Sequence, residues 1–150
     1  MAYIDVITLE RAKNYLRIDT DLTEDDSEIT SMINAALRFV EKRTNHIMYA
    51  REQTYTGNCQ VKVWDYPINS VVAPVLEPFV CHFATFDVWP CEKSVTLNVG
   101  YVTPDLIPDD LIQAALQIIK VWYYESEKQV NTTLIPESVK EVLYLNARFI

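Results

Sequence analysis

Residues 109–127, DDLIQAALQIIKVWYYESE, decide the fold, because they combine clear helix-start signals with an unusually wide apolar surface. Pro108 precedes them: its fixed φ suits a first helical turn, and the N–H it lacks would have had no intrahelical partner there. Asp109 and Asp110 set negative charge against the positive end of the helix dipole. At 3.6 residues per turn, Asp110, Gln113, Gln117, Lys120, Tyr124 and Glu127 fall on one polar stripe. The positions off that stripe from Leu111 to Tyr123, among them Ile112, Leu116, Ile118, Ile119 and Trp122, are apolar. Such a helix spans roughly 28 Å, and it has to be covered from several sides. It is either the central member of a small bundle or partly covered by another subunit.

Upstream, Thr8 is an N-cap for a short helix over about 9–16 with Leu9, Ala12 and Leu16 on one side. Six carboxylates follow within residues 19–28, and Thr23 with Asp26 three places on resembles a capping pair. A second helix is predicted over about 24–44, with Ile29, Met32, Ile33, Ala36, Leu37 and Val40 as its apolar face and Thr30, Ser31, Asn34, Arg38, Glu41 and Lys42 as its polar one. Asn45, which tolerates the left-handed conformation, ends it. From about 52 to 101 the pattern turns to short β-rich pieces broken by Gly57, Pro67, Pro74, Pro78, Pro90 and Gly100. Strands are expected near 52–56, 60–64, 71–76, 79–86 and 94–101, their pairing open. Closely spaced prolines favour edge strands and extended loops. After a polar connector, Pro136 opens a last helix to about 147, with Val139, Val142, Leu143 and Asn146 in line. The expected fold is α+β, mainly α: a bundle of about four helices with a small β subdomain or projecting β arm, all within one domain over 1–150.

Composition bounds the function. With 150 residues, 49% of them hydrophobic and 23% charged, the chain can bury a core without disulfides. It has no run of about 18 uninterrupted apolar residues, so no membrane partner is expected. Residues 1–10 lack a basic start and an apolar run of signal-peptide length, which predicts intracellular synthesis. Cys59, Cys81 and Cys91 are then expected to be free thiols. A net charge of −8 opposes adhesion to phosphate backbones.

The chemistry-bearing patterns fail one by one. Two glycines, Gly57 and Gly100, cannot build a phosphate cradle. Asp19 and Asp21 have the opening spacing of an EF-hand, but Glu24 stands where the turn glycine belongs and Thr30 where the bidentate Glu belongs. Cys81 and His82, adjacent in an extended segment, point to opposite faces, and no Cys-x-x-Cys pair occurs, so no metal site is expected. No nucleophile turn for Ser/His/Asp catalysis is present. The aromatic residues lack the interleaved Arg and Lys of a stacking platform, which leaves packing and subunit contact as their use. Neither an enzyme nor a cofactor is implied.

The order and spacing of these segments resemble the head-to-tail connector (adaptor, or head-completion) proteins of tailed bacteriophages. The resemblance runs from Thr8-Leu9-Glu10 through Ala12-Lys13 to Leu16-Arg17-Ile18-Asp19, then along the helix of Ile29, Ile33, Ala35, Ala36, Val40 and Glu41 to Thr44. It resumes at Tyr66-Pro67, Ser70-Val71, Trp89-Pro90 and Val95 to Val99 with Gly100-Tyr101. Its strongest block is Ile107-Pro108, Leu111, Ala114-Ala115 and Tyr124-Glu125, with Ile135-Pro136, Val139 and Arg148 closing the chain. The middle, 72–87, departs most, with Pro74, Pro78, Cys81 and His82 where a more regular strand pair is expected.

The resemblance implies a structural role: a homo-oligomeric ring, usually twelve-fold, beneath the portal in the virion neck, assembled in the host cytoplasm. Such a ring extends the DNA channel and offers a surface to the tail, a stopper or the next neck protein, while DNA passes without specific binding. On that reading Val139, Leu143, Arg148, Phe149 and Ile150 are candidates for portal docking. Leu116, Trp122, Tyr123, Phe79, Phe83 and Trp89 are candidates for subunit contact, and Asp19, Asp21, Glu24, Asp25 and Asp26 for the channel wall. The alternative is an acidic DNA-mimicking inhibitor or another non-enzymatic interaction protein, for which a wide unpaired apolar helix face would be out of place.

Overall fold

The computed structural model describes residues 2–57, 60–73, 79–80, 84–87, 94–126 and 135–147. Its helices are α1 (Tyr3–Val6), α2 (Leu9–Leu16), α3 (Asp26–Thr44), α4 (Asp109–Ser126) and α5 (Glu137–Asn146). Its strands are β1 (Arg51–Thr56), β2 (Gln60–Val63), β3 (Ile68–Ala73), β4 (Phe79–Val80), β5 (Ala84–Asp87) and β6 (Ser94–Val99), and a 3₁₀ turn, Pro104–Leu106, leads into α4. The fold is α+β and mainly helical.

The helices form one core. α4 packs along α3 and also against α2 and α5, while α1 closes on α3. Leu111, Ala115, Leu116, Ile118 and Ile119 of α4 meet Ile29, Ile33, Ala36, Leu37 and Val40 of α3 in this core. Burying each of the larger aliphatic side chains contributes about 1.5–3 kcal/mol, so the bundle is held mainly by this pair. The polar stripe of α4 lies outside the core: Asp110, Gln113 and Lys120 are exposed and Gln117 half-buried. The helix is therefore turned as its sequence dictates, and its apolar breadth is accounted for by three helical neighbours.

Local signals explain most boundaries. The Thr8 side chain accepts from the Arg11 N–H at 3.2 Å and caps α2. Asn45, at φ 59°, ends α3 in the left-handed conformation, and its N–H donates to Glu41 O. Arg17 ends α2 in the same way without a sequence cue. The expected Thr23–Asp26 capping pair is not formed: α3 starts at Asp26 with no side-chain cap on Asp25, because the Asp26 carboxylate is drawn to Lys13. α1 was not legible beforehand, being a single turn.

The strands make two three-stranded antiparallel sheets, β1–β6–β3 and β2–β5–β4. β6 is central in the first and alternates cleanly, with Val95, Leu97 and Val99 buried. These three pack with Val61 and Val63 of β2 and with Ile47 in a second core. Two strand expectations need correction. The one placed at 71–76 begins at Ile68, directly after Pro67, where the chain joins β6. The one placed at 79–86 is two strands: Phe79 pairs with Thr85 and Val80 with Ala84, so the chain reverses inside it. No Gly, Pro or Asn between 80 and 84 announces that reversal.

Candidate assembly surfaces and the junction that fixes them

For a chain read as a building block, the site is the set of surfaces it offers and the contacts that hold those surfaces in a fixed relation. The sheet and the bundle meet at the C-terminal end of α3. There Glu41, only 7% exposed, accepts from four donors: Tyr3 OH at 2.6 Å, Met48 N–H at 2.8 Å, and Arg51 Nη1 and Nη2, both at 3.1 Å. The bidentate fork is the strongest form of such a pair; it joins α3 to β1, and the Tyr3 hydroxyl brings α1 to the same carboxylate. Burial and the Glu41 carboxylate push the Tyr3 phenol up to about 12. Burial disfavours the Arg51 charge, but the bonds to Glu41 outweigh it and raise its pKa.

Glu41, expected on the polar face of its helix, is buried. It lies one turn beyond Leu37 and two beyond Ile33, in line with the apolar stripe, and this spacing is the signal that could have found it. Beside it, His46 Nδ1 lies 2.7 Å from Tyr101 OH, and the His46 ring contacts those of Tyr66 and Tyr101. Gly100 closes the junction at φ +108°: a Cβ there would overlap the Tyr49 carbonyl and come within 2.8 Å of Ile47 Cγ2. Nearby, Tyr55 OH donates to Asp65 at 2.6 Å, and burial followed by that carboxylate raises its pKa.

The acidic end is built around a buried cation. Lys13, 3% exposed, donates to Thr20 O at 3.2 Å and Leu22 O at 2.6 Å and pairs with Asp26. The α2–α3 turn is thus wrapped over an ammonium group. Of the five candidate channel carboxylates, Asp26 is taken up by Lys13 and Asp25 accepts from Tyr123 OH of α4 at 2.7 Å. Asp19, Asp21 and Glu24 are exposed. Lys13 follows Leu9 by four positions and so falls on the apolar side of α2.

At the opposite end, α5 is anchored on α4. Asn146 Nδ2 donates to Asp110 at 2.6 Å, and Ser138 reaches Gln117 at 3.5 Å. Val139 and Leu143, named for docking, are buried in the chain's own core and seat the helix. The outward face of α5 instead carries Tyr144, 69% exposed, and Leu145, 81% exposed. The helical period marks both as lying off the Val139–Leu143 line. Arg148, Phe149 and Ile150 lie outside the described residues. Among the subunit-contact candidates, Leu116 is 2% exposed and committed to the internal core, whereas Trp122 and Tyr123 are half-buried. Phe83 and Trp89 lie outside the described residues, as does the side chain of Phe79. So do all three cysteines and His82, and among the described residues no cluster of three or more metal-ligating side chains occurs. Among the described residues no helix is long and apolar enough to cross a membrane.

Residues 6–67 match the sequence model of the phage gp6-like head-tail connector proteins. The connector match takes in α2, α3, the Glu41–Arg51 junction, β1 and β2, and ends at Pro67. The block at 107–125, expected to carry the resemblance most strongly, lies beyond it. Comparison with curated proteins found no match. Among solved structures, the fold is similar to a chain in the virion of a native gene transfer agent (GTA) particle, with a TM-score of 0.73 and 14% identity over 98% of this chain and 92% of that one. It is similar, too, to a chain in the neck of an empty GTA particle computed with C6 symmetry (TM-score 0.71, 16% identity, 95% of this chain and 89% of that one). A third likeness is to the neck of a native GTA particle computed with C12 symmetry, at TM-score 0.64 and 14% identity over 95% and 88% of the two chains. The likeness to these neck structures is one of fold, and it extends past the connector match into α4 and α5.

Proposed function

We propose that this chain is a structural, non-enzymatic neck protein that assembles as a ring of about a dozen copies beneath the portal, joins head to tail and extends the DNA channel. The observation that carries the reading is the match of residues 6–67 to the connector family. The likeness of nearly the whole chain to proteins of phage-like necks supports it.

Charge fits the role. Twelve copies at −8 each give 12 × −8 = −96 for the ring, and a wall of like charge lets DNA slide through without adhering. Carboxylates left exposed at the α2–α3 end, Asp19 and Glu28 among them, supply the wall. In this reading the C-terminal segment, with α5 and residues 148–150, meets the portal, and the β4–β5 region meets a neighbouring copy or the next ring. The partners are the portal, further copies of this chain, and a tail, stopper or further neck protein.

Quantitative mass spectrometry of purified particles tests the proposal: the protein is expected at about twelve copies, in constant ratio to the portal. Absence from tailed particles would end it. A monomer in dilute solution would not, since ring closure through modest interfaces can require the portal as a template.

A further inference from the structure

Two surfaces at opposite ends of α3 complement each other in polarity and charge. At its C-terminal end, α3 and α5 leave a groove of about 250 Å³ whose apolar lining includes Phe39, Ile135, Leu143 and Ala147. Arg43 and Lys140 edge it, positive groups on a chain of net charge −8. The Arg43 guanidinium lies over the Phe39 ring at 5.3 Å. Lys140 meets Glu137 at 2.8 Å with both side chains exposed, a pairing weak enough to exchange for another carboxylate. Before the other end of α3, in the turn built over Lys13, Leu22 stands 49% exposed between the exposed Asp21 and Glu24. An apolar side chain flanked by carboxylates is the counterpart of an apolar groove flanked by cations. The backbone of that turn is held by the two Lys13 bonds, so it is presented with little ordering cost.

We propose that the groove between α3 and α5 receives the 19–24 turn of the neighbouring copy, Leu22 entering the apolar lining while Asp21 and Glu24 face Arg43 and Lys140. The inference rests on the ring reading and gives that ring its contact. α3 has 19 residues, so the two surfaces are separated by roughly 28 Å and cannot meet within one copy. Unlike surfaces on one molecule associate head to tail, and such contacts either close into rings or run on as filaments. Within the acidic end, Asp21 and Glu24 then lie between copies, leaving Asp19 and Glu28 to the channel wall.

The test uses the full chain, half of it labelled with ¹⁵N, assembled with the portal of the same particle and treated with a carbodiimide, which condenses a carboxylate with a lysine amine. Mixed-isotope peptides joining Lys140 to Asp21 or Glu24 are expected. Arg43→Glu/Lys140→Glu and, separately, Leu22→Asp should each lower ring yield at least tenfold, and an equal mixture of the two variants should give dimers rather than rings. Rings that form with Lys140 linked only within single copies, or to other segments of the neighbour, would overturn this contact and leave the ring intact. Circular dichroism of the variants separates a lost contact from a lost fold: an unfolded variant is replaced by Arg43→Gln/Lys140→Gln or Leu22→Asn, and full ring yield from those folded variants also overturns the contact. A wild-type chain that forms no ring on the portal and gives no mixed-isotope product would remove the ring reading together with it.

Discussion

Glu41 concentrates more of the structure in one side chain than any other described residue, since it joins α1, the end of α3 and the start of β1. Removing the guanidinium by Arg51→Leu leaves a buried carboxylate with two of its four donors. Full loss of a buried partner costs about 3–5 kcal/mol, and the partial exposure of Arg51 reduces this to about 2–3 kcal/mol, readable in urea melts. Tyr3 adds a pH dependence. Its phenol titrates near 12 in the folded chain against 10 when unfolded. A raised folded value contributes stability that is present below pH 10 and is lost as pH rises toward 12. Tm should therefore hold to about pH 9 and fall above it. Tyr55, raised in the same direction, adds to that fall, so Tyr3→Phe should make the decline shallower without removing it. An unchanged slope would show that Tyr3 is not held as described. Gly100→Ala combines a left-handed φ with overlap on backbone and should cost about 3 kcal/mol in the same melts.

Elements were legible in proportion to how far local pattern decided them. α4 could be read, orientation included, because its polar stripe is narrow and its start is marked by Pro108, Asp109 and Asp110. α3 differed from expectation only where a charge made a long-range choice: Asp26 went to Lys13 rather than to a cap, and Glu41 turned inward toward Arg51. Both choices depend on residues distant in the chain or in another element, which propensity does not see. The docking and contact candidates fared differently because burial within a monomer and burial between monomers leave the same apolar signature. Val139, Leu143 and Leu116 satisfied it internally, while Tyr144 and Leu145 sit off the helical line that drew attention. At this scale Lys13→Met tests the acidic turn. It strands two backbone carbonyls, which should lower stability by about 1–2 kcal/mol. Amide exchange over 19–26 should quicken about tenfold while α4 stays protected, because the turn opens without the bundle. Uniform quickening across α3 and α4 would instead make Lys13 part of the global core.

For the molecule as a whole, the architecture and the connector match draw on different regions: the helix that decides the architecture lies outside the segment that matches the connector model. One measurement addresses the whole charge distribution. With −8 on each copy, the protein should not retard duplex DNA in a gel at about 0.05 M salt even at micromolar concentration, and retention there would contradict a non-adhesive channel. All six described strands lie between α3 and α4, and this order shapes how the chain is made. On the ribosome, α3 emerges with Ile29, Ile33, Leu37 and Val40 unmet, and its main partner starts at Asp109, 109 − 26 = 83 residues after the start of α3. At about 5–20 residues per second, that apolar face waits roughly 4–17 s for cover. Nascent chains stalled before residue 109 should thus be captured by chaperones and cut readily by protease, and those extended past α4 should not. The interval between the two helices is the period in which a copy is most easily lost, and a ring of the proposed kind would be short of that copy.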